Sequence, residues 1–302
     1  VEMGEGQAEK KWNGKTGGTP FMQVSLMKLY KIVGLRPMYA VLALVVPFYM
    51  LFAHKGYIVT YRFFRRRMGY GRMKSFVNVY RNHFVFGQVI IDRFAAYSGM
   101  KFKLNMDGYD KFLSYADQPE GFIMLSSHVG NYEMAGYTLV SEKKPFNALV
   151  YGGETEMVMG NRQRMLYGNN INLIPVTDDF SHLFKINSAL ANGEILSIAG
   201  DRFFESSKTF ECDLLGSPAR FVAGPFALAV MREVKILAVF VMKDKWNSYN
   251  VHIREIKADA SLPSKQRMQM LARNFASELE AVVRKYPIQW FNYYDFWETS
   301  DN

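Results

Sequence analysis

The strongest constraint on this chain is an uninterrupted apolar run. From Pro37 to Ala53 it reads PMYAVLALVVPFYMLFA, seventeen residues without a charge, with Lys28, Lys31 and Arg36 before it and Lys55 after it. A helix of that length is at the short limit for crossing roughly 30 Å of hydrocarbon, and Pro37 and Pro47 would bend or shorten it. A buried core helix fits the same composition. A secretory signal peptide fits less well, because the run begins far from the first residue and no small-residue cleavage site follows it. The next segment, Tyr61-Arg62-Phe63-Phe64-Arg65-Arg66-Arg67, mixes aromatic and basic side chains as headgroup-level anchors do. Arg72 and Lys74 extend the positive charge. An interfacial or re-entrant anchor therefore accounts best for the run, within a membrane-associating helical region over residues 21–100. Basic residues mark the cytoplasmic side of a bacterial inner membrane, and each one near anionic headgroups adds about 1 kcal/mol. The expectation is a peripheral or monotopic protein with its body in the cytoplasm. A solvated helix face and an RNA-binding patch remain open readings of the same residues.

Composition agrees with a globular chain that has surface to spare for lipid or another protein. Of 302 residues, 49% are hydrophobic, 15% aromatic and only 22% charged, which excludes a disordered polymer. The formal net charge of +9 favours anionic partners without choosing among them. A lone cysteine, Cys212, cannot close an internal disulfide and reads as a packing residue, so a reducing compartment is allowed. Residues 1–20 are polar and glycine-rich, as a flexible arm would be, with Trp12 the exception.

After residue 100 the pattern changes. Short apolar runs at Gly121–Leu125, Ala148–Tyr151, Ile195–Ala199 and Ile236–Val241 alternate with helix-like segments, which predicts an α/β domain over 101–302. Two of these runs lead straight into polar clusters, SSHVGNYE and GDRFFES. Ligand sites on open α/β sheets lie at such carboxyl ends of strands.

In the first cluster His128 precedes a helix-like run that starts near Tyr132. Glu133, five residues on, can fold back so that its carboxylate accepts a hydrogen bond from one imidazole nitrogen and leaves the other to take a proton. It would also oppose the pKa depression expected at a helix N-terminus. Gly130 would let a substrate approach the backbone, and the N–H groups of the helix start, with Asn131, would face a developing oxyanion. By spacing alone, a hydrogen-bonded structural histidine is the more frequent reading of the same two residues. In the second cluster Arg202 offers a planar fork for a phosphate or other anion, and Asp201 would orient it or bind substrate hydroxyls; a surface ion pair is the plainer alternative.

The segment His128-Val129-Gly130-Asn131-Tyr132-Glu133 resembles the HxxxxD/E motif of the lysophospholipid acyltransferase superfamily, in the branch of the late acyltransferases of lipid A biosynthesis, where Glu replaces Asp. Gly200-Asp201-Arg202 is similar to that family's second polar motif. Trp12–Lys15, Gly216–Ala229 and Tyr286–Trp297 resemble the same branch, so the likeness runs along nearly the whole chain. It implies a mixed central sheet flanked by helices, of glycerolipid acyltransferase type, with an N-terminal helical membrane anchor. It also implies an O-acyltransferase that takes its acyl chain from acyl carrier protein or coenzyme A. The acceptor would be a lipid A precursor, a lysophospholipid, an amino-acid lipid or a polyene precursor. His128 would be general base, Glu133 its orienter, and Arg202 with Asp201 the substrate contacts. Arg162 and Arg164 lie where the superfamily often supplies basic contacts to an anionic acceptor. His54, His83, His182 and His252 lack metal-ligand spacing, and no phosphate loop or dinucleotide fingerprint occurs, so neither metal nor cofactor is expected and nucleic acid is not the expected partner. Ser126 and Ser127 lack a nucleophile elbow, which favours direct transfer over an acyl-enzyme. A thioesterase or lipid hydrolase using the same histidine, and a noncatalytic membrane- or RNA-binding module, are the competing classes.

Overall fold

The computed structural model describes residues 20–52, 54–139, 143–151, 170–176, 181–202 and 208–297. Trp12–Lys15, Arg162 and Arg164 lie outside them.

Four helices open the chain: α1 (Pro20–Val33), α2 (Leu35–Phe52), α3 (His54–Arg62) and α4 (Arg72–Tyr97), with a π-helical turn at Phe63–Arg67 between the last two. The apolar run forms α2. Pro37 sits in its first turn, where a missing N–H costs nothing, and the helix continues through Pro47 to Phe52. One face of α2, through Leu35, Met38, Tyr39 and Val46, is buried, and the first three pack against Ile91 and Ala95 of α4. The two helices approach so closely that a Cβ on Gly87 would lie 2.6 Å from Leu42. The other face is bare: Leu44, Phe48, Leu51 and Phe52 are 66–84% exposed. A buried core helix would not leave that face uncovered.

The body is a seven-stranded sheet in the order β1-β9-β8-β2-β5-β3-β4. The strands are β1 (Lys103–Asp107), β2 (Phe122–Ser126), β3 (Phe146–Tyr151), β4 (Ile171–Val176), β5 (Ile195–Ala199), β8 (Lys235–Lys245) and β9 (Ser248–Ile256). All neighbours are parallel except the β8–β9 hairpin, so the sheet is mixed. A separate antiparallel pair, β6 (Thr209–Asp213) with β7 (Pro218–Val222), carries Cys212, which is buried in the core. Helices α5 (Tyr109–Ala116), α6 (Ala135–Thr138), α7 (Ser181–Ala191), α8 (Gly224–Arg232) and α9 (Ser264–Lys285) complete the described elements.

Alternation along β2 explains the two-sided packing. Ile123 and Leu125 join one core with Phe275 and Leu279 of α9, while Phe122 and Met124 join the other with Phe112 of α5. A central strand buried on both faces reads as a continuous apolar run, which is why it was visible in the sequence, and it fixes where its carboxyl end emerges.

Candidate active site

Strands β2 and β5 are parallel neighbours in register, with Ser126 opposite Ala199, and the Gly200 amide donates to the Ser126 carbonyl at 2.8 Å. Two residues past each strand end, His128 and Asp201 meet. The His128 backbone N–H donates to one Asp201 carboxylate oxygen at 2.7 Å, and His128 Nδ1 lies 2.8 Å from the other. Asp201 is buried, whereas the His128 side chain keeps 16% of its surface exposed. Burial by itself pushes the Asp201 carboxyl up. The imidazole beside it, the two hydrogen bonds and Arg202 together outweigh that effect and hold the carboxyl below the usual range. An ionised carboxylate only accepts, so Nδ1 carries a proton, and in the neutral form of the ring Nε2 is then the nitrogen with the lone pair.

The contact expected from Glu133 is thus made by Asp201. Glu133 lies in a 3₁₀ turn (Tyr132–Met134), with Arg93 Nε at 2.9 Å and the Tyr97 hydroxyl donating to it at 3.2 Å. Arg93 and Tyr97 are four apart on α4, on one helix face, and a guanidinium holds a carboxylate more strongly than a neutral imidazole does. Their signal in the sequence is the Asp92-Arg93 pair inside the otherwise apolar stretch Val89–Ala96.

Gly130 and Asn131 also serve differently from the expectation. Gly130 has φ +58°, and a Cβ there would lie 2.2 Å from the Val241 carbonyl, so the missing side chain admits β8 rather than a ligand. The Gly130 N–H donates to the Gln289 carbonyl at 2.8 Å and the Asn131 N–H to Val241 at 2.7 Å, which removes both from any oxyanion site. Asn131 is fully buried and its Nδ2 donates to the Tyr249 hydroxyl at 3.2 Å. Arg202 is exposed, its guanidinium 5.8 Å from the Tyr294 ring centre, and the Tyr294 hydroxyl donates to the Asp201 carbonyl at 3.1 Å.

Around the histidine loop runs a strap made by the C-terminal aromatic segment. Val129 pairs with Trp290, and the Phe291 N–H donates to the His128 carbonyl at 3.1 Å. Asn82 of α4 holds the strap by donating to the carbonyls of Ile288 and Trp290 at 3.1 and 2.8 Å. Gln289 clamps Lys243 from both sides, accepting from its N–H and donating to its carbonyl, each at 2.8 Å. Beneath the loop, Lys243 Nζ meets Asp92 at 2.5 Å, and Asp92 also accepts from the hydroxyls of Tyr39 and Tyr249. Burial pushes the Asp92 carboxyl up and the Lys243 ammonium down, and their contact pulls each back toward its charged form.

Among the described residues, no group of three His, Cys, Asp or Glu side chains converges to hold a metal. His83 bonds the Val79 carbonyl, and His252 lies beside Asp107 and Tyr286.

A family model described as bacterial lipid A biosynthesis acyltransferase matches residues 74–299, well over half of the chain. No curated protein sequence matches. Among solved structures, the chain is similar to the 1-acyl-sn-glycerophosphate (LPA) acyltransferase PlsC from Thermotoga maritima, at 15% identity. The likeness covers 83% of this chain and 99% of that one, with a TM-score of 0.41. A TM-score that low assigns no roles to residues.

Proposed function

Because this chain belongs to the bacterial lipid A biosynthesis acyltransferase family, we propose that its acyl transfer proceeds at His128 with Asp201 as the orienting carboxylate. The family implies a lipid acceptor and an acyl thioester donor. The acceptor hydroxyl gives its proton to His128 Nε2 as its oxygen attacks the thioester carbonyl, forming a tetrahedral oxyanion. Collapse breaks the C–S bond, and the departing thiolate takes the proton from the imidazolium. Asp201 keeps the imidazole in the Nδ1–H form and stabilises its positive charge in between. The observation that carries this reading is the two-point grip of one buried carboxylate on the backbone and ring of His128, with Nε2 left over. Glu133 fixes Arg93 and Tyr97 beside the loop, and Arg202 contacts a phosphate of the acceptor or donor.

The donor is acyl carrier protein or coenzyme A. The uncovered face of α2, followed by the arginines of the π-helical turn, supports peripheral or monotopic attachment to the cytoplasmic side of a bacterial inner membrane. Incubation of the full chain with a labelled acyl thioester and lipid acceptors tests the assignment. Label in lipid is the expected result; release as free fatty acid would make the protein a hydrolase, and no turnover would make it a binding module.

A further inference from the structure

The π-helical turn creates a second polar site that the transfer chemistry does not use. Its wide turn, closed by the Met68 N–H on the Phe63 carbonyl at 3.2 Å, buries both Phe63 and Phe64 and brings Arg62, Arg66 and Arg67 to one cavity. Such single π turns in proteins tend to mark functional positions, because they aim side chains that an α-helix would misplace. The cavity holds about 40 Å³ and is walled on the far side by Trp290, Asn292 and Asp295 of the strap.

Its wall contains unmet hydrogen-bonding capacity. Both polar side-chain atoms of Asn292 and the indole Nε1 of Trp290 are buried without a partner, in residues 9% and 4% exposed. An unpaired buried polar group is costly, so three of them in two residues of one wall call for a partner. The charge there is lopsided, with three guanidiniums against Asp295 among the described lining residues, which Arg62 meets only at 4.0 Å, and Asp213 acting on Arg67 from outside the cavity. Arg67 stacks 4.6 Å over Trp297 and donates to the Ser217 hydroxyl. Burial, with the charge of Arg66 adding to it, holds Arg67 below its usual pKa against the pull of Asp295, and a bound anion would relieve that.

We propose that this cavity binds the phosphate of a membrane lipid headgroup. The arginines would donate to phosphate oxygens, and Asn292 and Trp290, whose polar side-chain atoms are covered in this structure, would join them once the bound group displaces their cover. A lipid is favoured over a soluble phosphate ester because the turn follows directly in the chain on α2 and α3, whose Leu51, Phe52 and Ile58 are exposed. That choice of source rests on the membrane attachment proposed above; the phosphate chemistry does not.

The test is co-flotation of the full chain with phosphatidylcholine vesicles carrying either phosphatidic acid or oleate, matched in surface charge. Arg66→Gln is exposed and leaves the core untouched, and Asn292→Leu removes the orphan amide. Binding about tenfold tighter to phosphatidic acid is expected, with the preference lost in both variants while attachment to oleate vesicles persists. Equal binding to the two vesicle types would overturn the site, as would an undiminished preference in Arg66→Gln, which would mean the cavity is merely hydrated. Glycerol phosphate and acidic carrier protein are titrated separately, with tryptophan emission as readout. A protein that ignores both vesicles yet responds to either of these would overturn the lipid source and, with it, the membrane reading, while transfer to soluble acceptor would still report on His128.

Discussion

Two buried acid–base pairs sit within this fold, and they differ in what they leave over. Asp92 and Lys243 meet at 2.5 Å with side chains 0% and 6% exposed, and Asp92 takes two further hydrogen bonds from Tyr39 and Tyr249. Asp201 and His128 meet at 2.8 Å, but the histidine keeps 16% of its side chain exposed and, among the described residues, only Nδ1 of its ring is engaged by a carboxylate. The first pair is saturated and ties α2 and α4 to the β8–β9 hairpin. The second is saturated only on the side of the carboxylate. Spare valence on one partner separates a site that can react from one that only holds structure together.

The sharpest way to break the comparison is to remove the reactive partner. His128→Ala should lower acyl transfer by about 10³-fold and also lower the unfolding midpoint in urea, because Asp201 loses the ring and keeps only the backbone N–H, although Gln289, Val241 and the strap still hold the loop. Asp92→Asn should act chiefly on stability: an uncompensated Lys243 costs roughly 3–5 kcal/mol in urea unfolding. The double variant Asp92→Asn with Lys243→Met should recover much of that loss, which distinguishes a desolvated charge from a mere hole. A smaller effect appears in pH dependence. The Asp201 carboxyl is held below its unfolded value, so it binds fewer protons folded than unfolded. The stability it contributes is therefore present above the unfolded carboxylate pKa and lost as pH falls through the folded one. Urea unfolding across the acid range should show a shallower fall for Asp201→Asn than for the parent chain.

Much of this was readable from the residues, for identifiable reasons. β2 and β5 are buried on both faces, so they appear as apolar runs, and the polar clusters after them follow from chain direction in a parallel sheet. The uncharged run forms one helix, and its bare face reflects composition directly. What spacing could not give was the partner of His128. Glu133 is close in sequence, but Asp201 reaches the ring because β2 and β5 are neighbours in register, a nonlocal fact. The clue was there in the equal offset of His128 and Asp201 from Ser126 and Ala199. Asn131 and Gly130 were misread for a related reason: their roles depend on β8 and on a strap from the far end of the chain, which no local pattern encodes. The orphan polar atoms of Asn292 and Trp290 arise from nonlocal packing and leave no trace in sequence.

The proposed mechanism turns on which carboxylate sets the histidine tautomer. Nuclear magnetic resonance of isotope-labelled histidine in the parent chain, Asp201→Asn and Glu133→Gln would read it directly, with turnover measured on the same samples. The proton should reside on Nδ1 of His128 in the parent and in Glu133→Gln, and that form should be lost in Asp201→Asn together with roughly 10²- to 10⁴-fold in kcat. An Nδ1–H form that survives Asp201→Asn and disappears in Glu133→Gln would contradict the account and return the orienting role to Glu133.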